Sequence, residues 1–268
     1  ALPSASASAP SSAPEPATPS VPTAIEVTTP LPDKLVFAAR KISSGGIVLS
    51  GAAPSKDAAA QLGAAASASG AKLAANDKLP ADFLPQALAG LTALSGLEDG
   101  QLGFDGTRWW LHGRVAANAA KSDAEAQVTA LPQGSTWSVE IKVLGAFDIC
   151  RLRAEAVSQR NDIAFKAGKR DLSPDSLAVL DELAKDFAIC PTAVIHVQAH
   201  TDGDGDAAAN LGLSVARAEM VVAELAKRGI AEDRLYAEGY GESDPVAPDN
   251  TKNNKAKNRR VVFVITEN

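Results

Sequence analysis

The sequence predicts an α+β protein. Its C-terminal unit has the order β-α-β-α-β-β, with helices packed on one face of a mixed sheet, and two small α/β repeats precede it. Three observations predict this. An apolar, β-branched run at 193–199 (AVIHVQA) gives way to a Gly/Asp loop and then to a helical pattern. A strand, Gly turn and Ala-rich helix occur twice, from Gly45 and from Asp105. Before both stands a tract of Ala, Ser and Pro that cannot bury enough apolar area to offset its ordering entropy.

That tract, ALPSASASAPSSAPEPATPSVPTA, fills residues 1–24. The reading is a disordered or semi-extended tether over 1–32 that spans several tens of ångströms at about 3 Å per residue. No signal peptide and no apolar stretch of membrane-spanning length is visible, so the expectation is a mature or trimmed soluble part whose membrane anchor, if any, preceded Ala1.

The two repeats are expected at 33–145, divided at about 33–97 and 98–145. The first copy reads GGIVLSGAAPSKDAAAQLGAAAS from Gly45, and the second DGTRWWLHGRVAANAAKSDAEAQVTAL from Asp105. Gly51 and Gly113 correspond, each read as part of a turn, with His112 in the second turn. A strand is predicted at 137–143 (WSVEIKV), with 71–75 (AKLAA) as its counterpart, and 84–97 reads as a helix or two half-helices joining the copies. Trp109 and Trp110 are adjacent in a strand and so point to opposite faces, one of them into the core.

The C-terminal unit is expected at 146–268. A helical lead-in at 146–159 is followed by a short strand at 161–165 (NDIAF). Ser173 as N-cap and Pro174 as first helical residue open a helix whose buried stripe is Leu177, Leu180, Ala184 and Phe187, and Cys190-Pro191 ends it. After the strand at 193–199, Leu211, Val215, Ala218, Val222 and Leu225 recur at helical spacing, with Gly229 as the terminating residue. Strands at 234–239 and 260–266 complete the unit.

Asp202 stands at the strand's mouth, and Arg217 lies off the apolar stripe on a face shared with Asn210, Ser214 and Val221. A loop carboxylate and a helix guanidinium flanking one shallow site suit a ligand that carries both an ammonium and a carboxylate. Mutual neutralisation of the two on the surface explains the same spacing.

The motifs HTDxxG and NxxLSxxRA, with LSPDS before them, GYGES at 239–243 and NRR at 258–260, resemble the peptidoglycan-binding OmpA-like domain over roughly 150–268. The resemblance implies that Asp202 and Arg217 hold the diaminopimelate residue of the peptidoglycan stem peptide, that Asn210 lines the site, and that Thr201 and Arg260 lie beside the ligand. It also implies a periplasmic place in the cell envelope, with the outer membrane favoured. In that oxidising compartment Cys150 and Cys190 are expected to form a disulfide, against two buried free thiols. The repeats resemble the BON domain, on the V-x-L-S-G type turn and the domain order alone.

Other readings fare worse. A formal net charge of −6 without a basic run argues against nucleic acid as a partner. Asp202, Asp204 and Asp206 mimic the start of an EF-hand loop, but Ala207 and Leu213 stand where Gly and Glu are required. His196 and His200 share a strand face, where packing outweighs a zinc site, and no nucleophile–base set appears. The expectation is therefore a non-enzymatic peptidoglycan binder with no cofactor or metal. The alternative is an envelope assembly protein that acts mainly through protein or membrane-surface contacts of the repeats.

Overall fold

The computed structural model describes residues 35–42, 46–67, 71–130, 136–165 and 169–267. The expected tether at 1–32 lies outside them. Among the described residues two sheets organise the chain, one of six strands and one of three.

The first sheet takes up β1 (Phe37–Lys41), β2 (Ile47–Ala53), α1 (Lys56–Ala65), β3 (Lys72–Ala75), α2 (Phe83–Ser95), β4 (Asp99–Phe104), β5 (Arg108–Val115), α3 (Asn118–Thr129) and β6 (Thr136–Val143). The strand order β3-β2-β1-β4-β5-β6 has two like halves. In each, an antiparallel pair (β1–β2, β4–β5) is followed by a helical crossover to a parallel strand (β3, β6). The halves meet where β1 and β4 pair antiparallel, from Phe37↔Phe104 to Lys41↔Gly100.

Gly51 and Gly113 do occupy equivalent places, but inside β2 and β5 rather than in turns, and His112 is likewise a buried strand residue. The reason lies in the neighbouring strand. A Cβ on Gly51 would stand 2.3 Å from the Val36 carbonyl oxygen, and one on Gly113 would stand 2.5 Å from that of Asp99. Glycine here marks a close strand crossing, which a linear sequence does not distinguish from a turn.

Helices cover one face of this sheet. Trp109, fully buried, sits among Phe37, Phe83, Phe104 and Trp137, with ring centroids 4.7 Å from Phe104 and 5.4 Å from Trp137. Trp110 points to the opposite face, where Arg108 lies over its ring. The Trp137 indole N–H donates to buried Gln86 on α2 at 2.8 Å, which satisfies a polar group inside the aromatic cluster.

The second unit holds α4 (Ala146–Arg160), α5 (Pro174–Ile189), β7 (Val194–His200), α6 (Ala207–Lys227), β8 (Leu235–Gly241), α7 (Lys252–Asn258) and β9 (Val261–Thr266). The sheet is mixed, since β7 runs parallel to β8 and antiparallel to β9. Ile195, Val197 and Ala199 of β7, with Val261, Phe263 and Ile265 of β9, share one core with α4, α5 and α6. Ser173 caps α5 by accepting from the Ser176 N–H, with Pro174 at the first turn. At the far end of α6, Gly229 and Ile230 N–H groups donate to the Ala226 and Leu225 carbonyls, which closes the helix as a Schellman motif.

Two expectations need correction. The segment 161–165 forms no strand, and among the described residues it contributes an isolated antiparallel bridge from Phe165 to Leu172. The edge of β9 is met by α4 instead, where the Ser158 hydroxyl accepts from the Phe263 N–H at 2.9 Å. Second, the buried face of α6 is Asn210, Ser214, Arg217, Ala218, Val221 and Leu225, while Leu211 and Val215 are 49% and 36% exposed. The helix lies on β8 at Gly239, where a Cβ would be 2.3 Å from the Val215 nitrogen. Ser214 faces inward because its hydroxyl accepts from the Gly241 N–H at 2.8 Å. Polar residues thus take inward positions that apolar periodicity assigns to their neighbours.

Cys150 on α4 and Cys190 at the end of α5 are joined by a disulfide. Arg153 on α4 reaches Glu98 beside the first sheet at 3.0 Å and also pairs with Asp186 on α5, so one guanidinium bridges the two units.

Candidate functional site

The tip of β7, the start of α6 and the α7–β9 junction converge on a cavity of about 610 Å³. β7 ends in a register shift at Ala199/His200, which delivers Thr201 and Asp202 to the mouth. The Thr201 N–H donates to the Gly241 carbonyl at 2.8 Å, so β8 holds this turn in place. The 202–205 loop is then braced from α6, because the Asn210 amide donates to the carbonyls of Asp202 (3.3 Å) and Asp204 (3.1 Å) and to Glu242 (2.6 Å).

Asp202, Arg217, Asn210, Thr201 and Arg260 all line this cavity. Their surroundings differ. The Asp202 side chain is 13% exposed and pairs through one oxygen with Arg259 at 2.5 Å. Arg217 is 7% exposed, lies 4.8 Å over the Phe165 ring, and donates from Nε to the Lys169 carbonyl at 3.1 Å. Among the described residues its two terminal nitrogens have no hydrogen-bond partner. Burial lowers its pKa, Arg259 lowers it further, and Asp202 works against both. Asp202 and Arg217 are therefore electrostatically coupled across the cavity without forming an ion pair.

Arg260 is held differently, on the Asp244 carbonyl (3.0 Å) and carboxylate (2.9 Å). Thr201 is buried with its hydroxyl unpartnered among the described residues. His200, stacked on Tyr240 at 5.1 Å, is pushed down to a pKa of about 4 by burial and then by Arg260, so it is neutral near pH 7. His196 sits apart and bonds Glu238 at 2.7 Å. The three loop carboxylates are dispersed to separate tasks. Asp202 takes Arg259, Asp204 takes Lys255, and Asp206 caps α6 by accepting from the Ala209 N–H.

Sequence reasoning missed two members. Arg259 had a signal, the first arginine of NRR, but the family pattern draws attention to its neighbour. Phe165 was read only as the end of a strand. Its ring backs a guanidinium that arrives 52 positions later, a contact with no local signature.

The arrangement offers a carboxylate and a half-satisfied guanidinium on one cavity with an aromatic wall. It can bind a zwitterion.

Comparison with known proteins agrees on the segment concerned. Outer membrane porin F of Pseudomonas fluorescens is 40% identical over 108 residues, which is 40% of this chain and 33% of that protein. Peptidoglycan-binding protein ArfA of Mycobacterium tuberculosis is 35% identical over 103 residues, 38% of this chain and 32% of that one. The chain thus spans about a third of the length of these relatives. The crystal structure of the peptidoglycan-associated lipoprotein from Burkholderia pseudomallei aligns with 39% of this chain and 88% of its own, at 28% identity and a TM-score of 0.37. Residues 164–259 match the model of the OmpA family, and the C-terminal part of this chain is an OmpA-family domain.

Proposed function

We propose that the protein binds peptidoglycan non-covalently, through the diaminopimelate residue of the stem peptide, and acts without catalysis. The observation that carries this is the state of Arg217. A buried guanidinium has given up its hydration, yet within the protein it is matched by one carbonyl and an aromatic face. A ligand carboxylate supplies the missing partner through the planar donor fork. Asp202, on the same cavity, accepts the ligand's ammonium with the oxygen that Arg259 leaves open. Asn210 positions the loop that carries Asp202, and Thr201 and Arg260 line the rim. The relative named for peptidoglycan binding supports the same reading.

In this reading, 146–268 is the binding domain, 33–145 is a BON-like tandem module for protein or membrane-surface contact, and 1–32 is a tether. The like strand pairing of the two halves of the six-stranded sheet supports a tandem module. The place of action is the periplasmic side of the envelope, at the outer membrane. Among the described residues no helix is long and apolar enough to cross a membrane.

Co-sedimentation with purified sacculi tests the proposal. The wild-type chain is expected to pellet with sacculi and to be released by free diaminopimelate. Asp202→Ala and Arg217→Ala should each lose about 1.5–3 kcal/mol of binding, roughly 10- to 150-fold in affinity, with unchanged circular dichroism. Wild-type pelleting by either folded variant would place the site elsewhere.

A further inference from the structure

A second, smaller cavity of about 330 Å³ opens on the other side of the β7 tip, and Thr201 lines both. Its wall is the segment 245–248 (PVAP), built to be rigid. Asn258, 1% exposed, accepts from the Val246 and Ala247 N–H groups and donates to the Ala247 carbonyl at 2.9 Å. Its charged lining consists of Glu242 and Asp249, with no lysine or arginine. Lys255, coupled electrostatically to Asp249, is engaged instead by Asp204 at 2.5 Å.

The polar groups left open there are specific. Both Asp249 oxygens are used, one by the Gly203 N–H (2.9 Å) and one by Asn258 (3.1 Å). Glu242 uses one oxygen on Asn210 and, among the described residues, keeps the other free. Thr201, 5% exposed, has a buried hydroxyl with no partner among the described residues. What remains is one carboxylate oxygen that needs a donor and one hydroxyl that can donate or accept.

We propose that this cavity is a second subsite. It takes the carboxamide of the residue joined to the zwitterionic amino acid, and it discriminates against the corresponding carboxylate. The proposal rests on the peptidoglycan reading above. A carboxamide brings N–H donors for Glu242 and a carbonyl oxygen for the Thr201 hydroxyl. A carboxylate brings no donor and meets two like charges in a site without a counter-cation. The discrimination comes from the repulsive partner as much as from the attractive one.

Isothermal titration calorimetry on the full chain tests this with three probes: free diaminopimelate, γ-glutamyl-diaminopimelate with a free α-carboxylate, and the same dipeptide as the α-carboxamide. The carboxamide is expected to bind about tenfold more tightly than the carboxylate. Glu242→Gln should bring that ratio close to one. Val246→Trp, at a rim position 59% exposed, should remove the carboxamide's gain over free diaminopimelate while leaving free diaminopimelate unchanged. Equal or reversed affinities for the two dipeptides on the wild-type chain overturn the subsite even where free diaminopimelate binds, as does a ratio that survives both variants. If no probe binds, the peptidoglycan reading itself falls and the subsite with it.

Discussion

The two units each bury an arginine, and they treat it in opposite ways. Arg114 in β5 is 6% exposed and grips Asp99, its partner across the β4–β5 ladder, through Nε at 2.7 Å and through a second nitrogen. That hydrogen-bonded carboxylate is the first cause of its raised pKa, outweighing burial. Arg217 in α6 is 7% exposed, has one carbonyl and one ring, and its pKa is lowered, with burial as the largest cause. Equal burial thus comes with opposite compensation, and under the proposed function the first charge serves the fold while the second is kept for an external partner. The first unit gives its arginine a carboxylate on the neighbouring strand, and the second leaves the terminal nitrogens of its arginine open at a cavity.

The sharpest way to break this comparison is a matched pair of substitutions. Arg114→Leu leaves Asp99, 17% exposed at its side chain, without its counter-charge, so it should cost about 3 kcal/mol in urea unfolding. Sacculus binding of the folded fraction should not change. Arg217→Leu removes a desolvated charge that the fold does not fully match, so stability should stay within about 1 kcal/mol of wild type while sacculus binding is lost. If Arg217→Leu unfolds the protein as Arg114→Leu does, the distinction between the two arginines fails.

An effect of comparable size concerns the frame behind the site. The Cys150–Cys190 disulfide closes a sequence separation of 40 and ties α4 to the end of α5. By loop-closure entropy, which the unfolded chain regains when the link is removed, replacing both with Ser should cost about 3–4 kcal/mol at most. Midpoints of chemical unfolding with and without reductant measure it, and a double variant insensitive to reductant is the expected control. Arg153, tied to Glu98 and Asp186, should keep the two units docked in the reduced protein.

The same contrast explains what could be read from the sequence. In the C-terminal unit, caps and helix ends carry local chemistry, and Ser173, Pro174 and Gly229 were legible for that reason. Asp202 and Arg217 were legible as a pair because one strand tip and one helix face determine both positions. The pairing of Asp202 with Arg259 was not, because it depends on how α7 turns the chain back toward β7. The burial of Ser214 and Asn210 ahead of Leu211 and Val215 was also hidden, since it follows from the bare backbone of β8 at Gly239. In the first unit, the repeat was visible through β2, β5 and their helices. β1 (FAARK) and β4 (DGQLGF) escaped, having little β-branched content and two glycines in β4, and they become strands because they form the centre of the sheet.

The smallest expected effect is a pH dependence placed by the cavity. His200 has a pKa of about 4 against an ordinary 6.5, set by burial and then by Arg260, with Asp244 opposing. Between those values the unfolded chain takes up a proton that the folded chain refuses. The folded state therefore loses stability as pH falls from about 6.5 toward 4, and this contribution is absent above that window. The Asp105 carboxyl in the first unit acts at lower pH, since its value of about 2 against 3.8 makes its stabilisation disappear only below about 4. His200→Phe keeps a ring on Tyr240 and removes the titration. Urea midpoints at pH 7 and pH 5 should converge in the variant and differ in the wild type. A wild-type difference that persists in His200→Phe would assign the pH 5–7 dependence to groups outside this cavity and leave the imidazole a packing element alone.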